Sequence, residues 1–322
     1  MPTIRIVTLC KRIEKKPLDV VRKEFFYIYR QMYHLATAKI CVIDGYNIPV
    51  SVLRHKKSLV VIQIWHALGA MKKFGKQTNN TISKRDLAEG FSMHDNYNMI
   101  LAPSAKMADI FGEAFGYEKK HFIRGYLPRV DYILKQKESL KKRFLEEYPE
   151  MKDKKLILYV PTFREKGVKF NYTALFKGIP EGYVLAPRYH EMVHVSGGIS
   201  DKKKNIKTFP TFSTLQLLVV ADYVISDYSA MSFEAIAADK PLYFFVPDAG
   251  YYADNPGFNI DPRTEFSSAT FSAASDLYNA IKSEKYDWKS YVNFRSKFLG
   301  SKKPTMQNTR NLSRIIVKEL TQ

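Results

Sequence analysis

The stretch Leu59-Val60-Val61-Ile62-Gln63-Ile64-Trp65-His66-Ala67-Leu68-Gly69 decides the architecture: an apolar run broken only by Gln63 ends in a histidine and a glycine-containing turn. A short continuous run rich in Val and Ile is the pattern of a parallel strand covered on both faces. In an open parallel sheet ligands sit beyond the carboxyl ends of the strands, which puts His66 where a ligand would bind.

Similar runs occur at Ala38–Ile43, Met99–Ala102, Leu156–Val160, Tyr183–Ala186, Asp222–Ile225 and Leu242–Val246, with helical stretches between them and no internal repeat. That alternation predicts an α/β fold. A chain of 322 residues, 45% hydrophobic and 14% aromatic, has the material for a large core and is long for one domain, so two Rossmann-like units are expected. A densely charged stretch from Lys135 to Glu147, followed by Tyr148-Pro149 and a new apolar run, puts the boundary near residue 150 and the domains at 1–150 and 151–322.

Cys10 and Cys41 lie in apolar surroundings without CxxC or Cys/His spacing, which argues against a disulfide framework and a zinc site. Met1–Leu9 does not read as a secretory leader, and no window approaches the length of a membrane span, so a cytoplasmic chain is expected. The net charge is +19, and residues 1–75 alone hold 14 Lys/Arg against 4 Asp/Glu. Nucleic acid, an anionic membrane surface and a polyphosphate substrate would each reward such a surplus. The segment Pro17–Leu35 predicts a helix that mixes Arg22, Lys23 and Arg30 with Phe25, Phe26, Tyr27, Tyr29 and Tyr33. It reads either as a membrane-surface helix or as a core-packed helix with one solvated face.

Chemistry-bearing residues gather at the strand ends. After the first quoted run come His66, suited to taking a proton near neutral pH, and Lys72 and Lys73, suited to phosphate. After Tyr183–Ala186 come Arg188 and His190, a pair that suits a pyrophosphate. His190-Glu191-Met192-Val193-His194 has the letters of a zinc-protease motif. It follows Pro187 at a strand end and precedes Gly197-Gly198, which is poor support for the helix that motif needs. After Asp222–Ile225, Ser226-Asp227-Tyr228-Ser229-Ala230-Met231-Ser232 opens a predicted helix dense in hydroxyls, a pattern that serves a phosphate cradle or ordinary N-caps. Thr162 and Arg164 follow Leu156–Val160, and Tyr251 and Tyr252 stand between Asp248 and Asp254.

In this order the segments resemble the CDP-glycerol glycerophosphotransferase family of teichoic acid and capsule polymer synthesis. Trp65-His66-Ala67-Leu68-Gly69-Ala70-Met71-Lys72 is similar to its WHGxxxK motif, Val160-Pro161-Thr162-Phe163-Arg164 to its APTxR motif, and Ser226-Asp227-Tyr228-Ser229-Ala230 to its SDYSS motif. The segments around Ala102-Pro103-Ser104, Glu113–Tyr117 and Gly125-Tyr126-Leu127-Pro128-Arg129-Val130-Asp131 also look familial, and the likeness spans roughly residues 35 to 260. Ala67, Leu68-Gly69 and Ala230 depart from the usual residues.

The resemblance implies a GT-B-like arrangement of the two units with the active site in the interdomain cleft. It implies a CDP-glycerol donor, or CDP-ribitol, a lipid-linked acceptor, release of CMP, and a place on the inner face of the cell membrane with no nucleic-acid partner. It makes His66 the general base. His190 with Arg188 would sit on the pyrophosphate, and Ser226, Ser229 and Ser232 on donor phosphate or polyol. Asp227 would orient its neighbours, while Pro161, Thr162 and Arg164 would line the cytidine side. The resemblance names no definite cofactor and leaves a divalent cation such as Mg2+ open. A GT-B glycosyltransferase using a nucleotide-sugar would share this architecture. A purely nucleic-acid- or membrane-binding module would leave the strand-end clusters without a purpose.

Overall fold

The computed structural model describes residues 4–10, 17–78, 93–162, 173–189, 205–254, 256–300 and 303–321. Two parallel sheets organise them. The first has strands β1 (Ile40–Ile43), β2 (Val60–Gln63), β3 (Met99–Ala102) and β4 (Phe122–Arg124), side by side in chain order. The second has β5 (Lys155–Val160), β6 (Tyr183–Pro187), β7 (Tyr223–Ser226), β8 (Leu242–Phe245) and β9 (Thr270–Phe271) in the order β6-β5-β7-β8-β9.

All seven apolar runs are strands. In β5, residues Leu156 to Val160 are all buried, as expected of a central parallel strand covered on both faces. β4 and β9 have no such signal, being three and two residues long and at most half-buried. All strands of the second sheet are parallel, and its winding order reverses between β5, which continues to β6, and β7, which continues to β8. Such a switch point opens a crevice at the strand carboxyl ends, here after Val160 and Ser226.

The charged stretch before Tyr148 is a helix, Lys137–Glu147, that buries Leu140 and Phe144. The Phe144 ring lies 5.1 Å from Phe209 and 5.3 Å from Phe212, and Arg143 covers the Phe212 face, so this helix packs on the second sheet's side. The chain later crosses back. Helix Trp288–Phe298 sends Phe294 against Phe233, Phe244 and Phe266 while packing against helix Ala105–Phe115. Helix Asn308–Thr321 docks beside β1 and helix Arg129–Lys135. Its first amides are capped from outside: Asp131 accepts the Asn308 and Thr309 backbone N–H groups at 3.0 and 2.9 Å. Burial alone would raise the Asp131 pKa, but the hydrogen bonds from Thr309 and Asn308 prevail and hold it below the usual carboxylate range.

The helix starting at Pro17 runs to Thr37 and leaves Phe25, Phe26, Tyr29 and Tyr33 each more than half exposed. Those aromatics are not core residues. No described helix is long and apolar enough to cross a membrane.

Candidate active site

The site begins where β2 ends. Gln63, fully buried, donates through Nε2 to the Gly45 carbonyl (3.0 Å) and accepts the Trp65 amide at Oε1 (2.8 Å). One side chain thus fixes the loops that leave β1 and β2 relative to each other. Trp65 is held at φ 59°, a left-handed conformation costly for a bulky residue. Its ring packs on His66, Phe74 and Phe115 at 4.2, 5.4 and 5.1 Å.

His66 comes out of this turn partly exposed, its ring tilted by 35° against that of Trp65. Its Nδ1 lies 3.1 Å from the Asp44 carbonyl oxygen. A carbonyl only accepts, so Nδ1 carries the proton and Nε2 keeps the lone pair of the neutral ring. Burial against the tryptophan lowers the pKa, as does the charge of Arg129, while the Asp44 hydrogen bond and charge oppose them; the net shift is downward. This favours the neutral imidazole, with its basic lone pair on Nε2.

The loop after His66 is joined to the second sheet's side. Lys72 bridges Phe258, the Lys73 amide donates to the Gly257 carbonyl at 3.0 Å, and the Asn259 and Ile260 amides donate to the Met71 carbonyl at 2.8 and 3.1 Å. Gly69 is tightly enclosed at this seam: a Cβ there would stand 2.6 Å from Met107 Cε and 2.7 Å from the Phe233 ring. Lys72 Nζ lies over the Tyr252 ring at 5.4 Å, and Tyr252 in turn lies 4.5 Å from Tyr228. Both lysines thus sit at this seam.

Across the seam, the ends of β5 and β7 are tied by one carboxylate. Asp227, fully buried, accepts the Thr162 amide at 2.8 Å and the Ser229 amide at 3.2 Å on the same oxygen. Ser226 and Ser232 are also fully buried; the first hydroxyl donates to the Val160 carbonyl at 3.2 Å and the second to the Ser229 carbonyl. Of the three serines, Ser229 alone is half-buried. The following helix starts at Met231 behind Ala230, which offers no side-chain cap; Ser226 and Ser229 precede it, Ser232 lies in its first turn, and the Ser229 hydroxyl accepts the Met231 amide at 3.4 Å. Arg188 is engaged as well, donating Nη2 to the Phe212 carbonyl at 2.7 Å and to that of Phe209. His190, His194 and Arg164 lie outside the described residues.

The sequence model of CDP-glycerol:poly(glycerophosphate) glycerophosphotransferases matches residues 1–317. The chain belongs to that family. Among its relatives, the teichoic acid poly(ribitol-phosphate) polymerase of Bacillus spizizenii is 30% identical over 85% of this chain and 46% of its own length. The teichoic acid glycerol-phosphate primase of Bacillus subtilis is 28% identical over 76% of this chain and 63% of its own. The chain thus spans about half to two-thirds of these relatives. A structure of the wall teichoic acid polymerase TagF, a His-to-Asn variant soaked with CDPG, superimposes with a TM-score of 0.70 at 19% identity, covering 88% of this chain and 72% of that one. The S. aureus MnaA–UDP co-structure follows at 0.59 and 13%, covering 96% and 82%. These likenesses show the fold: two Rossmann-like units in the GT-B-like arrangement that the family resemblance implies.

One pair at this seam joins a residue of the familial segment Gly125–Asp131 to one that no motif marks. Arg129, the first residue of helix Arg129–Lys135, places Nη1 3.3 Å from Oε1 of Glu234 in helix Met231–Ala237. Glu234 is 1% exposed, and burial pushes its pKa up to about 7 against the opposing charge of Arg129. The available hint was an acidic residue inside Phe233-Glu234-Ala235-Ile236, since a carboxylate in a buried run needs a partner.

Proposed function

We propose that the chain transfers a polyol phosphate from a CDP-polyol to a hydroxyl of a lipid-linked acceptor, releasing CMP, in teichoic acid or related cell-surface polymer synthesis. CDP-glycerol is the first donor and CDP-ribitol the second, because the relatives include both glycerol-phosphate and ribitol-phosphate enzymes. The observation that carries this reading is the tautomer of His66: Nδ1–H is committed to Asp44, and Nε2 stands on a loop joined to the opposite unit. The acceptor oxygen forms a bond to the phosphorus bearing the polyol, His66 Nε2 takes the hydroxyl proton, and the bond to the CMP oxygen breaks. Such transfer depends on placement and charge neutralisation more than on covalent help.

In this reading residues 1–150 supply the acceptor side and 151–322 the donor side, apart from helices Lys137–Glu147 and Asn308–Thr321, which pack across that division, with the reaction in the cleft between the two sides. Lys72 and Lys73 lie at the seam on the phosphate path. Ser229 and the Thr162–Asp227 junction face the donor, with His190 and Arg188 assigned to the pyrophosphate and leaving CMP and Arg164 to the cytidine side on the family resemblance. The exposed aromatics of helix Pro17–Thr37 and the basic excess of residues 1–75 support attachment to an anionic membrane surface on its cytoplasmic face.

The test is incubation of the purified chain with a lipid-linked primer and each CDP-polyol. CMP release with a product heavier by one or more polyol phosphates supports the proposal. Release of a nucleoside diphosphate from a nucleotide-sugar would instead identify a glycosyltransferase.

A further inference from the structure

Arg129 is badly placed for a purely local role. It is a cation in the first turn of its helix, where the backbone dipole disfavours positive charge. Its side chain is 37% exposed, and among the described residues Glu234 is its one hydrogen-bond partner, so most of the five donors of the guanidinium fork are unspent. Glu234 is anchored in the opposite unit beside Phe233, the ring that meets Gly69. The Leu68 amide also favours the charged carboxylate. The His66 loop, Arg129 and Glu234 therefore meet at one point of the seam.

We propose that Arg129 binds the phosphate of an anionic substrate beside His66, and that Glu234 is the positioning residue that holds the guanidinium there from across the seam. A planar fork with free donors suits a phosphate or pyrophosphate oxygen pair better than an ammonium would. A cation whose charge reaches the base also acts where charge grows as the acceptor oxygen attacks. The charged groups that act on His66 are Asp44 after β1 and Arg129, and Arg129 is one of the influences that depress the imidazole's proton affinity. A cation at the site thus serves twice, holding the anion and keeping the base unprotonated. The identity of the phosphate rests on the transfer reaction proposed above; the placement of Arg129 does not.

The experiment compares wild type, Arg129→Lys, Glu234→Gln and the double variant Arg129→Gln/Glu234→Gln, which leaves no unpaired buried carboxylate. Two properties are read without turnover: inorganic pyrophosphate binding by calorimetry, and the His66 titration by NMR, assigned with His66→Gln. Loss of charge-assisted hydrogen bonds predicts about tenfold or greater weakening of pyrophosphate binding in the double variant relative to Glu234→Gln. His66 should titrate at higher pH in the double variant than in Glu234→Gln, and Arg129→Lys should restore the titration while recovering only part of the binding. Equal binding and an unmoved His66 titration in the double variant would overturn the proposal and leave the pair a structural clasp. A chain that binds pyrophosphate through Arg129 but releases no CMP keeps this inference and loses the proposed reaction; turnover with pyrophosphate binding indifferent to Arg129 does the reverse.

Discussion

Asp227 Oδ1 accepts the Thr162 backbone N–H at 2.8 Å, and through this contact the carboxyl end of β5 and the turn after β7 share one geometry. The same oxygen holds the Ser229 amide, so the carboxylate shapes the mouth of the crevice from within a fully buried position. Asp227→Ala leaves two amides without their charged acceptor and should cost about 2 to 3 kcal/mol in urea unfolding. Asp227→Asn keeps an oxygen in place and should cost about half as much. Equal stability of wild type and the alanine variant would remove Asp227 from this role.

Gly69 tests the closeness of the seam. With 2.6 Å to Met107 Cε and 2.7 Å to the fully buried Phe233 ring, Gly69→Ala forces either side chain to give way. Overpacking of this kind predicts a loss of about 1 to 3 kcal/mol. The His66 loop should shift with it, so CMP release should fall by more than the unfolded fraction explains. Calorimetric Tm and kcat measured on the same preparation separate the two effects.

The cap on the last helix gives a pH signature. Because the hydrogen bonds to Asp131 lower its folded pKa, their stabilisation is present above the unfolded value near 3.8 and is lost as pH falls through the folded value. Asp131→Asn should therefore be destabilised by about 1 to 2 kcal/mol at pH 7. The gap to wild type should close as unfolding is followed below pH 3.8. A gap independent of pH would show that the carboxylate charge contributes nothing.

Phe25 and Phe26, 69% and 56% exposed, give the membrane proposal a direct handle. The double change to alanine should reduce co-sedimentation with anionic vesicles and leave thermal stability within about 0.5 kcal/mol, as exposed sites usually do. Wild-type binding should also weaken as salt rises. Binding that ignores both the aromatics and the salt would count against this helix as the contact.

Much of this fold was legible because parallel strands buried on both faces spell themselves out as continuous apolar runs, as in β2, β5 and β8. β4 and β9 escaped because edge strands of two or three half-buried residues carry no period. Helix Lys137–Glu147 read as a charged boundary because only Leu140 and Phe144 are buried among its polar residues. The strand-end positions of His66, Thr162 and Asp227 could be read from strand boundaries plus the rule that ligands sit at carboxyl ends. What individual side chains do there could not. Ser226 and Arg188 read as ligand residues in a string of letters, and the backbone carbonyls of Val160 and Phe212 that they reach are brought near only by the fold. Arg129 and Glu234 are 105 positions apart, and no local pattern announces such a meeting.

The central claim is that neutral His66, with its lone pair on Nε2, takes the acceptor proton, and the pH dependence of CMP release tests it most directly. Burial and Arg129 hold the His66 pKa below the ordinary 6.5, and a base works only when unprotonated. Wild-type kcat/KM should therefore stay flat from neutral pH downward and fall only below 6.5. His66→Gln should bind the CDP-polyol normally and lose about 10²- to 10⁴-fold in kcat, together with that acid limb. Retention of both turnover and the acid limb in folded His66→Gln would contradict the account.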